Sequence, residues 1–140
     1  MRGEIFVDTG AWIAISDHRD QHHAIAVRVY PRLLEQYRAL VTTNLVIAEA
    51  YVMIRRAGGH QPAMRFLDSI RRSSRILKIY SDEALEEQAE DILRRYADQD
   101  FSFTDAVSFA VMGQRGIAEA FAFDRHFLTA GFVLVPEPSP

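Results

Sequence analysis

The sequence predicts an α/β protein: a single domain with a mainly parallel central sheet flanked by helices on both faces. Three observations lead there. Short apolar runs of strand character alternate with segments of helical apolar spacing along the whole chain. No pair of runs is joined by a tight hairpin turn, so neighbouring strands are expected to be connected through helices and to run parallel. The 140 residues carry no repeat, linker or low-complexity stretch apart from the ending PEPSP, and this length suits one core. The domain is expected to span residues 1–135, with residues 136–140 as a flexible tail.

The elements follow in order. EIFVD reads as a short buried strand, and residues 10–17 as a short helix. Asp20 is placed to cap a longer helix, HHAIAVRVYPRLLEQY, in which Pro31 predicts a kink or break and His22 and His23 are expected to face solvent. Residues 39–41 form a second strand. Thr43 then caps a helix, NLVIAEAYVMIRRAGG, closed by Arg55 and Arg56 in its last turn and by Gly58. Pro62 suits a first helical turn and opens a helix to about Arg72. SRILKIY alternates as a strand, and Ser81 with Glu83, Glu86 and Glu87 begins a helix to about Ala97. SFTD opens a helix from Ser102 to Arg115 that ends at Gly116. AEAFAF is a strand, DRHFLTAG a short helical turn, and FVLV the last strand.

Composition narrows the function classes. Hydrophobic residues make up 49% and charged residues 25%, the balance of a globular protein. The absence of cysteine excludes disulfides and thiolate metal sites and fits a reducing cytoplasm. No apolar run approaches the ~20 residues of a membrane span, and Asp8 and Asp17 interrupt any signal-peptide core. Net charge is −3, so the whole molecule does not advertise nucleic-acid binding. Lys78 is the single lysine; every other basic residue is arginine, whose planar fork suits phosphate, although genomic base composition produces the same bias.

Four acids stand out, each with an ordinary explanation. Asp8, after IFV and before a helix, can cap that helix. Asp105 completes a capping box with Ser102 and complements the helix dipole. Asp124 can cap the turn DRHFLTAG. Glu49 is harder to explain this way: its neighbours at i−4, i−3, i+3 and i+4 are Leu45, Val46, Val52 and Met53, an apolar stripe expected to face the interior. A buried carboxylate needs a cation, a proton or a salt bridge. A carboxylate cluster around a divalent ion accounts for all four, and hard oxygen donors favour Mg²⁺ or Mn²⁺.

With these residues in view the chain resembles the PIN-domain ribonucleases of the VapC toxin type. The resemblance rests on FVDTGAW, the glutamate of NLVIAEAY, DFSFTDAVSFAVM and GIAEAFAFDRHF, in that order across nearly the whole length. It implies Mg²⁺- or Mn²⁺-dependent endonucleolytic hydrolysis of RNA by a cytoplasmic toxin. Asp8, Glu49, Asp105 and Asp124 would be the catalytic and metal-binding acids, with Asp8 and Asp105 the surest ligands of a first ion. Thr9 and Thr104 would orient ligands or their waters, and Arg125 and His126 are candidate RNA contacts. Arg55 and Arg56 are further rim candidates, with compensation of the helix dipole as their ordinary role. A cognate antitoxin and a homodimer are implied as partners. One departure is Ala122, where close relatives often carry threonine, which removes a hydroxyl near Asp124. A catalytically degenerate domain that binds RNA or protein is therefore the alternative. A receiver-like or haloacid-dehalogenase-like phosphoryl-transfer domain fits poorly, since Asp8-Thr9-Gly10 lacks the second aspartate and Lys78 precedes the third acid.

Overall fold

The computed structural model describes residues 1–139. Among them, five strands are β1 (Arg2–Val7), β2 (Tyr37–Thr43), β3 (Ile76–Ile79), β4 (Glu119–Phe121) and β5 (Val133–Val135). The helices are α1 (Thr9–Ser16), α2 (His23–Gln36), α3 (Asn44–Gly58), α4 (His60–Arg72), α5 (Glu83–Arg95), α6 (Phe103–Arg115) and α7 (His126–Thr129). The strands form one sheet in the order β3-β2-β1-β4-β5, and every pairing is parallel. Pro140, the end of the expected tail, lies outside the described residues. No helix among the described residues is long and apolar enough to cross a membrane.

The strand order places the site. The chain moves outward from β1 through β2 to β3, then returns to lay β4 on the other side of β1. The reversal falls between β1 and β4, and their registers pair Phe6 with Ala120 and Val7 with Phe121. In open parallel sheets the crevice beyond the strand ends at such a reversal is where ligands bind. Asp8 leaves β1 there, and Asp124 lies three residues past the end of β4.

β1 is central and buried: Ile5, Phe6 and Val7 have no exposed surface. Its carboxyl end is tied to both neighbours. Thr42 in β2 donates from its hydroxyl to the Val7 carbonyl at 3.0 Å and accepts the Trp12 indole N–H at 3.2 Å. On the other side the Asp8 amide donates to the Phe121 carbonyl at 3.1 Å. Strand end and helix start are thereby held in one frame.

Local signals explain most element ends. Thr43 caps α3 by accepting the Val46 amide at 3.1 Å. Ser102 and Asp105 form a complete capping box on α6, which stops at Gly116 in the left-handed region (φ 68°). Several expectations change, among them the Asp20 cap, since the N-cap of α2 is His22 and Asp20 instead accepts the His22 amide at 2.8 Å. Pro31 does not end α2, which continues to Gln36; proline at this position forfeits one helical hydrogen bond without stopping the run. Asp82, not Ser81, caps α5, because its side chain reaches the Leu85 amide at 2.9 Å. His22 and His23 are half-buried rather than solvent-facing: His22 stacks on Phe123, and His23 Nδ1 meets the Ala14 carbonyl at 2.7 Å.

The Thr42 link carries a test. Thr42→Val keeps the shape but leaves a buried indole N–H without its acceptor, so unfolding free energy should fall by about 1–3 kcal/mol. Urea denaturation measures this; a loss below ~0.5 kcal/mol would mean that the hydroxyl does not hold the strand end.

Candidate active site

Each of the four acids is delivered by a different piece of the fold to the carboxyl edge of the sheet. Asp8 is the first residue past β1 and the N-cap of α1, yet its side chain accepts no capping hydrogen bond among the described residues. Its backbone carbonyl does that local work by accepting the Ala11 and Trp12 amides. The carboxylate is left over, 5% exposed as a residue, and is therefore not explained as a helix cap. Burial pushes its pKa up from 3.8 to about 7; the Thr9 amide opposes this, and the charges of Asp105, Asp124 and Glu49 add to it.

Asp105 carries out both roles that its sequence suggested. Its Oδ2 accepts the Ser102 amide at 3.0 Å, while its own amide donates to Ser102 Oγ at 3.0 Å. This fixes the carboxylate at the amino end of α6, where the helix dipole favours negative charge. Burial nonetheless raises its pKa, with the Asp124 charge adding, against the lowering effects of Ser102 and His126. Asp124 is half-exposed, and its Oδ1 accepts the His126 amide at 2.9 Å, bending the chain into α7.

Glu49 departs from expectation. It is exposed, as are Val52 (41%) and Met53 (47%). The face of α3 that enters the core is Val46, Ile47, Ala50 and Ile54. Apolar residues cover more than half of this helix, and the interior takes the stripe beside the one centred on Glu49. The glutamate instead stands at the rim, where Thr9 Oγ1 donates to its Oε1 at 3.1 Å. Thr9 thus links the element that carries Asp8 to the one that carries Glu49.

His126 has a closer place than a rim contact. Its Nδ1 lies 3.3 Å from Asp105 Oδ2 and 3.5 Å from Asp124 Oδ1. Both neighbours are acceptors, so the geometry selects a proton on Nδ1 and leaves Nε2 for other work. Ring contacts with Phe101 (5.2 Å between centroids, 71°) hold the imidazole edge-on. The sequence signal was only its spacing, two residues after a strand-end acid. Thr42 also went unrecognised, because a threonine near a strand end is unremarkable without knowledge of what lies across from it. Thr104 is buried, and its carbonyl accepts the Ser108 hydroxyl at 2.9 Å. Arg125 is exposed, and Ala122 is buried beneath the turn.

The donor set suits a hard divalent cation. Asp105, Asp124 and His126 each offer a ligand atom, and all three atoms lie within 4.8 Å of one another. Asp8, expected with Asp105 to ligate a first ion, is outside that trio and is coupled to it through charge. With His126 Nδ1 turned to the carboxylates as a donor, what remains for a cation is oxygen, the preference of Mg²⁺ and Mn²⁺.

Comparison with known proteins matches residues 5–133 to the family model described as "PIN domain". The chain is 38% identical over 131 residues to the 23S rRNA-specific endonuclease VapC20 of Mycobacterium tuberculosis, covering 94% of this chain and 97% of that protein. It is 28% identical over 107 residues to a VapC ribonuclease of Archaeoglobus fulgidus, covering 75% of this chain and 67% of that one. The crystal structure of Mycobacterium tuberculosis VapC20, described as a sarcin-ricin loop cleaving toxin, superimposes with a TM-score of 0.84 at 37% identity, covering 92% of this chain and 96% of that one.

The buried acid has a sign that can be measured. The Asp8 pKa is raised in the folded state, so between about pH 4 and pH 7 the folded form holds a proton that the unfolded form has lost. Metal-free stability should therefore fall as pH rises through that window. Asp8→Asn removes the titration, so its melting temperature should exceed wild type by several degrees at pH 8, with the gap shrinking toward pH 5. Parallel pH profiles for the two proteins would contradict a raised Asp8 pKa.

Proposed function

The chain belongs to the PIN-domain family, and from that premise we propose that it is a metal-dependent endoribonuclease acting as the toxin of a toxin–antitoxin pair. The observation that carries this reading is the convergence of Asp8, Asp105, Asp124 and Glu49 at the sheet's reversal point, with Asp8 buried and its pKa near 7. An array of carboxylates that repel one another is costly to maintain unless a cation joins it. Asp8, Asp105, Asp124 and Glu49 would hold Mg²⁺, with Mn²⁺ able to substitute. When bound, the cation supplies Lewis acidity toward a phosphodiester oxygen and toward the attacking water.

The protein's own groups complete the site. The capping box holds Asp105 in one rotamer, and its attachment to β1 holds Asp8, so two carboxylates keep their places without substrate. Thr9 orients Glu49 from the side of Asp8. His126, pinned between Asp105 and Asp124 by Nδ1, presents Nε2 as an acceptor for the proton of a water or a ribose hydroxyl. Half-exposed Asp124 is placed to accept a proton from water and pass it to solvent. Arg125, adjacent to it and exposed, contributes positive charge toward an RNA backbone on a molecule whose net charge is −3. No covalent nucleophile is required.

The substrate we favour is structured ribosomal RNA, because the 38% identical relative is named for 23S rRNA cleavage. The remaining partners are a cognate antitoxin that occludes the acidic groove and a second copy of the chain, with action in the cytoplasm. The test is an incubation of antitoxin-free protein with ribosomes or 23S rRNA fragments and Mg²⁺ or Mn²⁺. Discrete cleavage is expected, abolished by EDTA and reduced on the order of a hundredfold or more by Asp8→Asn or Asp105→Asn. Cleavage that survives EDTA, or equal cleavage by the variants, would sink the assignment. RNA binding without cleavage would favour the degenerate alternative.

A further inference from the structure

Beside the acids lies a feature that hydrolysis itself does not use. The rings of His22 and Phe123 are stacked face to face, with centroids 4.1 Å apart and planes within 2° of parallel. Phe121 meets the Phe123 ring at 66° with centroids 5.9 Å apart, which braces it from the sheet. Both stacked residues are only half-buried. They line a cavity of about 300 Å³ together with Ile25, Leu134, Pro136, Arg125 and the carboxylate-bearing Glu137.

The position matters as much as the shape. Phe123 and Arg125 flank Asp124, so the cavity wall and the acidic site share one turn of chain. A group in the cavity therefore lies against the same segment of chain that carries Asp124. The cavity offers planar rings, an aliphatic floor and a guanidinium. A planar heterocycle joined to a phosphodiester uses all three: stacking for the base, apolar contact for its edges, and Arg125 for the adjacent phosphate. An aliphatic peptide side chain would use only the floor.

We infer that this cavity is a nucleobase subsite, in which an unpaired base next to the scissile phosphate of RNA extends the His22–Phe123 stack while Arg125 holds the phosphate on its far side. The inference rests on the endoribonuclease reading. His22 and Phe123 act here as positioning residues. Their contribution is to draw one nucleotide out of its own stack and so set the phosphate over the acids. Stacking tolerates any base, so the subsite selects for an unpaired nucleotide rather than for a particular letter.

The experiment uses labelled single-stranded RNA oligonucleotides in which one nucleotide at a time is replaced by an abasic ribose. Binding is followed by fluorescence anisotropy, and cleavage with Mg²⁺ is followed in parallel. Wild type should bind one abasic position roughly tenfold more weakly than intact RNA. His22→Ala should lose a similar factor on intact RNA, raise KM with little change in kcat, and show no further loss at that abasic position. His22→Phe should restore the wild-type pattern, and thermal melts of both variants show whether the fold is kept. If His22→Ala bound intact RNA like wild type, or lost affinity equally for intact and abasic RNA, the subsite would be refuted. If wild type bound no RNA, it would be refuted as well. Failure to cleave with the abasic pattern intact would instead overturn the nuclease reading and leave the subsite standing.

Discussion

The structure depends on the pairing of β1 on both sides. Because β2 and β4 both run parallel to it, the end of β1 is enclosed laterally, and the first residue past it inherits a buried position. That residue is Asp8. Its backbone satisfies the frame, donating to Phe121 and accepting from α1, while its side chain takes no part in the capping that its position would suggest. The strand pairing thus leaves a carboxylate in a poorly solvated place with other acids around it. A fold selected for stability alone would put a neutral cap there.

The remaining acids arrive with different degrees of commitment. Asp105 is held by a capping box and would have a structural reason to exist without any chemistry. Asp124 shapes the turn into α7, and Glu49 stands at the rim on a threonine tether. The site is therefore graded: a rigid, buried pair of acids on the sheet side, and solvent-accessible groups opposite. Such a gradation suits a polymer substrate, which must enter from solvent and meet a fixed array of charge. His126 joins the two sides by facing Asp105 and Asp124 at once.

Much of this was legible in the sequence because it depended on local patterns. The alternation of strands and helices, the Thr43 cap, the Ser102–Asp105 box and the stop at Gly116 are each written within a few residues. The strand order was not legible, since the return from β3 across to the far side of β1 is decided by packing between distant segments. Glu49 shows the same boundary. Apolar residues surround it on α3, and periodicity alone could not tell which part of that wide stripe the core would take. The stacking of His22 on Phe123 joins residues about a hundred positions apart and left no trace in either local sequence.

The central claim is that the buried carboxylates, whose pKa values burial raises, exist to receive a divalent cation. Calorimetric titration of the metal-free protein with Mn²⁺ at pH 6.5, in two buffers of different ionisation enthalpy, tests it most directly. The account predicts saturable binding with release of a substantial fraction of a proton per cation, as Asp8 ionises into the site, and loss of that proton release in Asp8→Asn. Binding with no proton release, or no binding at all, would contradict it.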